Sequence, residues 1–481
     1  MLFGKVFDRF IDKSPVSVMV RGLMERAFGH DDLNQLFTAT AEAQYTRELL
    51  FSTTVEVMAS VVCRVHRSVH AAYKDDEENI GVSVRALYDK LACMEPTLGA
   101  ELVRHTAAQL KPILRRLKGT LPPLVKGYTC KILDGNHLSA SERRLKVLRD
   151  VAAGPLPGQT LVVLEPEYQL ASDVICGEDG HAQERSLLDQ VLERVQPRDL
   201  WLADRNFCTT GFLFGLARRR ARFVIRQHAA TLQWQRTSRR RRVGRIAEGV
   251  VYEQVLWLED GAGGTLRVRR VSLYLDEPTR DGETEIHVLT NLPAKVDARR
   301  IARLYRQRWT IERLFLNMTT ILQCEVNTLP YPKAALFGFC VALAANNVLA
   351  TAKGALRAVH GAKTVEEEVS EYHVAVDVAG KYQGLMIALP AEEWAPLAQM
   401  TNAEFARWLK GIARRVKLQR YRKSPRGPKK PRPRRTRFAK AKHVSTARLL
   451  AEARSKKWAL PHLSFRAGRN DDSHGLGFAV S

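Results

Sequence analysis

The chain has little cysteine, and none of it is arranged as a metal-binding or redox motif. Its seven cysteines are odd in number, lie far apart and never form a C-x-x-C pair. A disulfide framework and a zinc knuckle are therefore unsupported, and the pattern is typical of buried thiols in a reducing cytosol. The first residues also lack an uninterrupted apolar run, because Asp8 and Asp12 fall within it. We therefore expect no export signal and a cytoplasmic protein.

Acidic residues are scarce relative to basic ones. Lys and Arg total 76 against 51 Asp and Glu, a formal net charge of +25. This excess favours a polyanionic partner such as nucleic acid, although a basic tail on an ordinary enzyme gives the same total. Residues 411–442 hold 15 Lys or Arg, four Pro and no acid. Such a segment cannot bury itself, so we expect it to be disordered alone and either attracted to phosphates or merely solubilising.

Long uncharged apolar runs are rare, and only residues 334–352 approach the length of a membrane span. Asn346 and Asn347 lie side by side within this run, and the sequence has no second run of this kind. We interpret it as a buried core helix and expect no membrane partner.

The hydrophobic pattern changes several times along the chain. Helical periodicity dominates the N-terminal part, which fits a helix-turn-helix DNA reader and an ordinary helical domain equally well. Strands then alternate with helices, which predicts an α/β fold with a mixed sheet flanked by helices. The predicted segments are 1–120 (N-terminal helical, DNA-binding), 121–230 (first part of the α/β core), 231–292 (β-rich insertion), 293–355 (second part of the core), 356–410 (C-terminal helical region) and 411–481 (basic tail).

Two aspartates each follow a short apolar strand. Asp134 follows KIL in KILDGN, and Asp204 follows DLWLA in LADRNF. Strand ends at the edge of a sheet are where fixed side chains converge on a ligand. Taken singly, Asp134 before a glycine is also typical of a turn, and Asp204 beside Arg205 is typical of a simple salt bridge.

The stretch LYRQRWTIERLFLNMTT (304–320) predicts one amphipathic helix. Offsets of three and seven residues place Tyr305, Arg308 and Glu312 on one face, beside the apolar stripe. If the stripe packs on the sheet, Glu312 approaches the two aspartates, and an Arg308–Glu312 surface pair is the alternative. Three carboxylates together would repel each other unless cations lie among them, and oxygen ligands suit Mg²⁺. Two such ions about 4 Å apart can clamp the attacking and leaving oxygens of a phosphodiester displacement.

Taken together, these residues resemble a known family. Asp134 in DGN, Asp204 in ADRNF and the stretch YRQRWTIE are similar to the three acidic positions and the Y-x2-R-x3-E-x6-K signature of bacterial insertion-sequence transposases of the DDE class, the IS-four family. The stretches GEDGHAQERSLL (177–188) and CEVNTLPYPKAALFGFCVALAANNVLA (324–350) are similar to this family too. At the lysine position of the signature the chain has Thr319, which can hydrogen-bond a phosphate but carries no charge.

The resemblance implies an RNase H-like catalytic core interrupted by a β-rich insertion. Asp134 would lie on the first strand, Asp204 on the fourth and Glu312 on a later helix. These three residues would be catalytic and would bind two Mg²⁺ ions, which Mn²⁺ can replace. The resemblance further implies hydrolytic cleavage of the insertion-sequence ends through a hairpin intermediate and joining of the 3′ ends to target DNA. The active species would be a homodimer on paired ends of double-stranded DNA, in the cytoplasm and nucleoid of a bacterium.

The same resemblance implies residues that contact DNA. Tyr305 and Arg308 would touch the DNA backbone or a terminal base beside the active site. Trp234 or Trp257 would stack on a flipped base, unless they are core residues of their strands. The other candidates for phosphate contacts are Arg205, Thr319, Arg239 and Arg240, of which the last two lie in a basic run that either tracks the DNA or forms a solvated face.

The stretch GHAQER supplies two further polar residues, His181 and Glu184, at the start of a predicted helix. Side chains at such positions commonly cap the helix. We therefore expect them to take no part in catalysis.

Two other functions remain open on the sequence. A regulatory copy of a transposase would bind element ends without cleaving them, which the neutral Thr319 favours and the intact Asp134, Asp204 and Glu312 disfavour. A metal-dependent nuclease would cleave DNA without joining strands.

Overall fold

The computed structural model describes residues 4–44, 48–138, 155–228, 232–279, 282–326, 328–424 and 444–455. The stretch RLKVLRDVA (144–152), whose sequence pattern predicts a strand, lies outside these residues. Most of the basic run, from residue 425 to residue 442, lies outside them as well.

A large mixed sheet runs through the described part of the chain. The strands are β1 (Thr129–Leu138), β2 (Pro155–Leu156), β3 (Gly158–Glu165), β4 (Leu170–Gly177), β5 (Asp199–Ala203), β6 (Arg222–Arg226), β7 (Trp234–Thr237), β8 (Arg241–Ile246), β9 (Gly249–Glu259), β10 (Thr265–Leu275), β11 (Glu285–Thr290) and β12 (Val444–Ser445). Ten of them form one sheet in the order β4-β3-β1-β5-β6-β11-β10-β9-β7, with β8 paired to β9. The other two, β2 and β12, pair in parallel.

Helices flank this sheet, as the alternating sequence pattern predicts. They are α1 (Lys5–Lys13), α2 (Pro15–Ala27), α3 (His30–Thr40), α4 (Phe51–Val62), α5 (Val69–Asp75), α6 (Glu77–Ile80), α7 (Val84–Cys93), α8 (Pro96–Leu117), α9 (Leu188–Glu193), α10 (Thr210–Arg218), α11 (Ala298–Arg306), α12 (Trp309–Thr320), α13 (Pro332–His360), α14 (Ala362–Glu368), α15 (Glu371–Ala388), α16 (Ala391–Gln399), α17 (Asn402–Ala413) and α18 (Thr446–Ser455). The chain is thus a mixed α/β protein.

The centre of the sheet is parallel and buried on both faces. Strands β1, β5 and β6 run parallel to one another, and all five residues of β5 are buried. Trp201 and Phe223 pack with Leu213 of α10 on one face. Leu202, on the other face, belongs to the same hydrophobic core as Ile311 of α12. A strand covered on both faces reads as a continuous apolar run, which is why DLWLA contains no alternation.

The β-rich segment predicted at 231–292 forms β7 to β11 and extends the same sheet. Strand β11 pairs with β6, with Thr290 opposite Val224. Strand β10 then pairs with β11 and β9 along long antiparallel ladders. The period-two pattern therefore identified these strands, but it could not show that they continue the central sheet.

The N-terminal helices share hydrophobic cores with the rest of the chain. The ring of Phe7 in α1 lies 4.9 Å from that of Trp394 in α16. Helix α8 carries buried leucines that pack in the same cores as α13 and β4. Whether residues 1–120 act as a DNA-binding unit stays a prediction.

The apolar run at 334–352 lies within the long helix α13. Among the described residues this is the helix long and apolar enough to cross a membrane, and its most apolar 18-residue window is 83% buried inside the protein. Asn347 is fully buried, and its amide donates to the carbonyl of Ala171 at 2.9 Å and accepts from the Ala171 N–H at 2.8 Å. This asparagine satisfies backbone groups of β4, as expected for a core helix.

The stretch 304–320 is divided between two helices, so the prediction of one continuous helix is wrong. Gln307 and Arg308 form a turn in which the N–H of Arg308 donates to Tyr305 at 3.0 Å and the N–H of Ile311 donates to Arg308 at 3.1 Å. The break has a physical reason, because α11 packs on β6 and β8 to β10 whereas α12 packs on β1 and α13. Arg308 keeps helical dihedrals, φ −53° and ψ −36°, so the residues on either side still face the same way.

Candidate active site

Three polar side chains occupy equivalent positions on the parallel strands. Leu133 of β1 pairs with Ala203 of β5, which pairs with Ile225 of β6. Asp134, Asp204 and Arg226 directly follow these three paired residues. They therefore lie in one row across the sheet. The register alone brings the two aspartates together.

The strand-end prediction is correct for Asp204 and wrong for Asp134. Strand β5 ends at Ala203, directly before Asp204. Strand β1 continues through Asp134 to Leu138 because it also pairs with β3, with Asp134 opposite Val162. What ends at Asp134 is only the parallel pairing with β5.

The two helices bring the other predicted residues to this row. Tyr305 donates its hydroxyl to Oδ1 of Asp204 at 3.3 Å. Arg308 donates from Nη1 to Oδ2 of Asp134 at 2.9 Å and from Nη2 to Oε1 of Glu312 at 2.8 Å. The alternative of a surface pair does not describe Arg308, because only 10% of its side chain is exposed. Its Nε is buried and has no hydrogen-bond partner among the described residues.

Burial dominates the electrostatics of Asp134. Burial raises the pKa of this carboxyl to about 6, and the charges of Asp204 and Glu184 act in the same direction. Arg308 and the N–H of Gly135 oppose the increase. The ionised form of Asp134 is therefore less stable at this site than in water, even with Arg308 beside it.

Tyr305 and Arg308 keep their protons in this environment. Burial, followed by the charge of Asp204, raises the pKa of the Tyr305 phenol well above its ordinary value. Burial alone would lower the pKa of Arg308, but the charges of Asp134, Tyr305 and Asp204 raise it. Both side chains can therefore act as donors to carboxylate or phosphate oxygens.

Asp134, Asp204 and Glu312 offer the carboxylate oxygens that a divalent cation binds, but their side chains are not arranged around a common point. Among the described residues, no group of three or more His, Cys, Asp or Glu is placed to hold a metal ion. The guanidinium of Arg308 lies between Asp134 and Glu312, where it supplies the positive charge. Carboxylate oxygens are the ligands that Mg²⁺ and Mn²⁺ accept, so Arg308 must release its partners before Asp134, Asp204 and Glu312 can share an ion.

Two of the predicted DNA contacts lie beside the site. Arg205 is 57% exposed and pairs with Glu283 at 3.3 Å rather than with Asp204. Thr319 is exposed near the end of α12, and its hydroxyl donates to the carbonyls of Phe315 and Leu316 in the same helix. Both side chains are exposed, so a ligand could reach them only in exchange for these contacts.

The other predicted DNA contacts lie far from the aspartates. Strand β7 is four strands from β6 in the sheet, roughly 19 Å at the usual spacing. Trp234 on β7 is 39% exposed, whereas Trp257 on β9 is partly buried beneath Arg236, whose guanidinium lies 4.4 Å from its ring. Arg239 is exposed, and Arg240 stacks on Tyr252 and Tyr274 at the same end of the sheet. The structure does not bring these four candidates to Asp134 and Asp204.

Arg226 and Trp309 are site residues that the sequence reasoning missed. Arg226 lies in the row with the aspartates and pairs with Glu283 at 2.5 Å. Trp309 follows Arg308 and is 62% exposed, which is unusual for so large an aromatic side chain. The sequence signal for Arg226 was its place at the end of the apolar strand RFVIR, just as Asp204 follows the apolar strand DLWLA. Because these two strands pair in parallel, Arg226 lies beside Asp204.

Glu184 was expected only to cap a helix, and its observed contacts differ. It begins the short 3-10 helix Glu184–Leu187, where no side chain caps the first turn. Its carboxylate instead accepts a hydrogen bond from Nδ2 of Asn206 and lies against Gly135. His181 donates its backbone N–H to Asp179 and lines a cavity beside Glu184.

The comparison with protein families bears on this arrangement. Residues 159–345 match the family model of the transposase DDE domain. The match spans less than half of the chain and includes Asp204, Tyr305, Arg308 and Glu312, but it begins after Asp134. The part of the chain that carries these four residues is thus similar to the catalytic domain of DDE transposases, a class that uses divalent metal ions.

Comparisons with whole proteins are more remote. No curated protein matches the chain. Among solved structures, one similar chain belongs to a piggyBac transposase synaptic complex with hairpin DNA, at 11% identity and a TM-score of 0.36, covering 85% of this chain and 84% of that one.

Proposed function

We propose that this protein is a DNA transposase of the DDE class and the insertion-sequence IS-four family. It binds the terminal inverted repeats of an element, cleaves them by metal-dependent phosphodiester hydrolysis and joins the 3′ ends to target DNA. One observation carries the proposal: Asp134, Asp204 and the helix residues around Glu312 come from distant stretches and meet in one site. The match to the transposase DDE domain and the charge of +25 support it.

The strand arrangement supports an RNase H-like core. Counting only β1, β3, β4, β5 and β6, Asp134 lies on the first strand and Asp204 follows the fourth. Glu312 lies on the later helix α12. These are the places that the sequence resemblance implies for the three acidic residues.

Asp134, Asp204 and Glu312 would hold two Mg²⁺ ions, which Mn²⁺ can replace. When bound, such ions activate the attacking water and stabilise the leaving oxygen. Arg308 has the geometry to exchange partners, since its guanidinium can leave the carboxylates and donate to a phosphate with the same fork. Tyr305 holds Asp204 in position through its hydroxyl and stays protonated as it does so. Arg226 places a second positive charge near Asp204, where it also pairs with Glu283.

The steps after cleavage of the element ends are those expected of a DDE transposase. A hairpin on the element end, attack of the freed 3′-hydroxyl on target DNA and a homodimer on paired double-stranded ends all belong to this proposal. So does a location in the cytoplasm and nucleoid of a bacterium. Short inverted repeats bordered by direct duplications in the DNA around the gene would support the assignment.

The test is cleavage of a labelled element end by the purified full-length protein with Mg²⁺ or Mn²⁺. We expect nicking, a hairpin product and joining to a target plasmid, all lost in Asp134→Ala, Asp204→Ala and Glu312→Ala. Cleavage undiminished by Asp134→Ala would refute the mechanism.

Two other results would assign a different function. Cleavage without joining would identify a metal-dependent nuclease. Tight end binding without cleavage would identify a regulatory copy, which the neutral Thr319 and the occupied guanidinium of Arg308 favour.

A further inference from the structure

Glu184 contacts a neighbour of each aspartate. Its carboxylate accepts a hydrogen bond from Nδ2 of Asn206, two residues after Asp204. The same carboxylate covers the Cα of Gly135, the residue after Asp134. A Cβ added to Gly135 would come closer than 3.0 Å to two atoms of the Glu184 carboxylate, and its three nearest atoms all belong to that side chain.

The residue after Glu184 strengthens this connection. Arg185 donates from Nε to the carbonyl of Asn206 at 2.7 Å. Asn206 is thus held by its side chain and by its backbone, through two consecutive residues. Among the ion pairs of the described residues none includes Glu184, so its hydrogen bond to Asn206 is not diverted to a cation.

The fold leaves a gap at this place that Glu184 fills. The hydrogen-bonded ladder between β1 and β5 ends at Leu133 and Ala203. Beyond it, β1 continues while the chain after Asp204 turns into the 3-10 helix Arg205–Phe207. Regular pairing therefore does not fix the backbone of Asp204 relative to that of Asp134. The Glu184 carboxylate, which contacts both Gly135 and Asn206, supplies the missing connection.

We propose that Glu184 is a positioning residue that sets the spacing of Asp134 and Asp204 by bridging Gly135 and Asn206. The inference rests on the proposed function, because the two aspartates matter only if they catalyse. It also explains why residue 135 is glycine. The contact requires a backbone without a side chain there, although Gly135 is not in a left-handed conformation.

The first experiment compares Glu184→Gln with Glu184→Ala in metal-dependent cleavage of a labelled element end. Glutamine keeps the shape and the acceptor for Asn206, so we expect cleavage within about threefold of the wild type. Alanine removes both contacts, so we expect kcat to fall at least about tenfold, since small displacements of catalytic groups are costly. The affinity for the DNA and the melting temperature should change little. Glu193→Ala, at an exposed carboxylate on α9, is the matched control and should cleave like the wild type.

The second experiment tests the contact itself. Gly135→Ala should reduce cleavage and lower the melting temperature, because its Cβ pushes the Glu184 carboxylate away. In the double variant Gly135→Ala/Glu184→Ala the space is free, so its melting temperature should exceed that of Gly135→Ala and its cleavage should match that of Glu184→Ala. Fully additive losses would overturn the proposal.

The outcomes separate this inference from the proposed function. If the wild type cleaves and Glu184→Gln is as impaired as Glu184→Ala, Glu184 acts through its charge and the positioning role is refuted. If Glu184→Ala cleaves like the wild type, the role is refuted as well. If the wild type itself does not cleave, the proposed function fails and the role of Glu184 in the reaction fails with it.

Discussion

At the scale of single residues, Arg308 decides the state of the site. It is buried, binds Asp134 and Glu312 with two separate nitrogens, and keeps a third nitrogen without a partner among the described residues. Lysine could not replace it, because an ammonium group has no planar fork to join two carboxylates. The protein itself therefore supplies the positive charge that joins Asp134 and Glu312.

Asp134 gives a pH-dependent prediction. Burial raises its pKa from 3.8 to about 6, so the folded protein binds this proton more tightly than the unfolded chain. The carboxyl therefore destabilises the fold increasingly as the pH rises from about 4 to about 6, and by a constant amount above that. Asp134→Asn imitates the protonated form and should raise the free energy of unfolding at pH 8 by up to roughly 3 kcal/mol.

Denaturant unfolding at pH 8 and pH 4 would measure this effect. The wild type and Asp134→Asn should have nearly equal free energies of unfolding at pH 4. Asp134→Asn should lack cleavage activity at either pH. A variant that is less stable than the wild type at pH 8 would contradict the prediction.

Thr319 gives a prediction about DNA affinity. Its exposed hydroxyl bonds only to its own helix, so a longer charged side chain has room there. Thr319→Lys should tighten binding to element ends about threefold to tenfold at low salt and steepen the salt dependence by about one ion. Fluorescence anisotropy would measure both quantities. Thr320→Lys, at the adjacent exposed position, is the matched control and should have a smaller effect on specific ends.

At the scale of elements, the break between α11 and α12 shapes the site. The turn at Gln307 and Arg308 lets one helix follow β6 to β10 and the other follow β1, while Tyr305 and Glu312 still point to the same row. The first residue of α12 is Trp309, which the break leaves exposed beside Arg308, with the guanidinium 5.7 Å from its ring. If the row of Asp134 and Asp204 is catalytic, as proposed, an exposed aromatic side chain beside it is suited to stacking on a DNA base.

Trp309 gives the prediction that belongs to this element. Trp309→Ala should weaken binding to an element end with unpaired terminal bases by about 1–3 kcal/mol, because one base no longer has an aromatic ring to stack on. Binding to fully paired internal DNA should change little. Trp234→Ala, at the far end of the sheet, serves as the comparison. An equal loss of affinity for both variants on both DNAs would contradict a stacking role for Trp309.

At the scale of the whole molecule, one sheet connects the row of Asp134 and Asp204 with the exposed arginines near β7 and β8. From β6 it continues through β11, β10 and β9 to β7 and β8, where Arg239, Arg240 and their neighbours are exposed. Strand β7 is five strand spacings from β5, so DNA at Asp204 would need to extend roughly 24 Å to meet that end. Under the proposed function, contacts there would serve affinity and orientation, while cleavage would take place at Asp134 and Asp204.

The basic run gives the prediction for the whole molecule. Residues 425–442 contain nine Lys or Arg, and replacing them all with Gln removes nine positive charges. We expect weaker binding to random duplex DNA and a salt dependence that is shallower by about 0.9 for each phosphate that the variant no longer neutralises. Cleavage of DNA that is already saturated with protein should be unaffected. An unchanged salt dependence would mean that this run does not contact DNA.

The sequence predicted the composition of the site better than its geometry. Helical spacing placed Tyr305, Arg308 and Glu312 on one face, and apolar stretches placed Asp134 and Asp204 after predicted strands, because such patterns are local. That all five residues share one site was implied by the family resemblance. It also identified the core helix α13 and the strands β7 to β11. It could not show that those strands extend the central sheet, because pairing partners far apart along the chain leave no local pattern.

The tertiary structure alone decided how the site is held. The parallel register of β1, β5 and β6 added Arg226 to the row of aspartates, and the packing of α11 and α12 on different strands broke the predicted single helix. Glu184 was assigned to a helix cap on sequence, whereas the fold carries its carboxylate to Gly135 and Asn206. Residue types fix which chemistry is available, but long-range pairing and packing determine which of those residues meet.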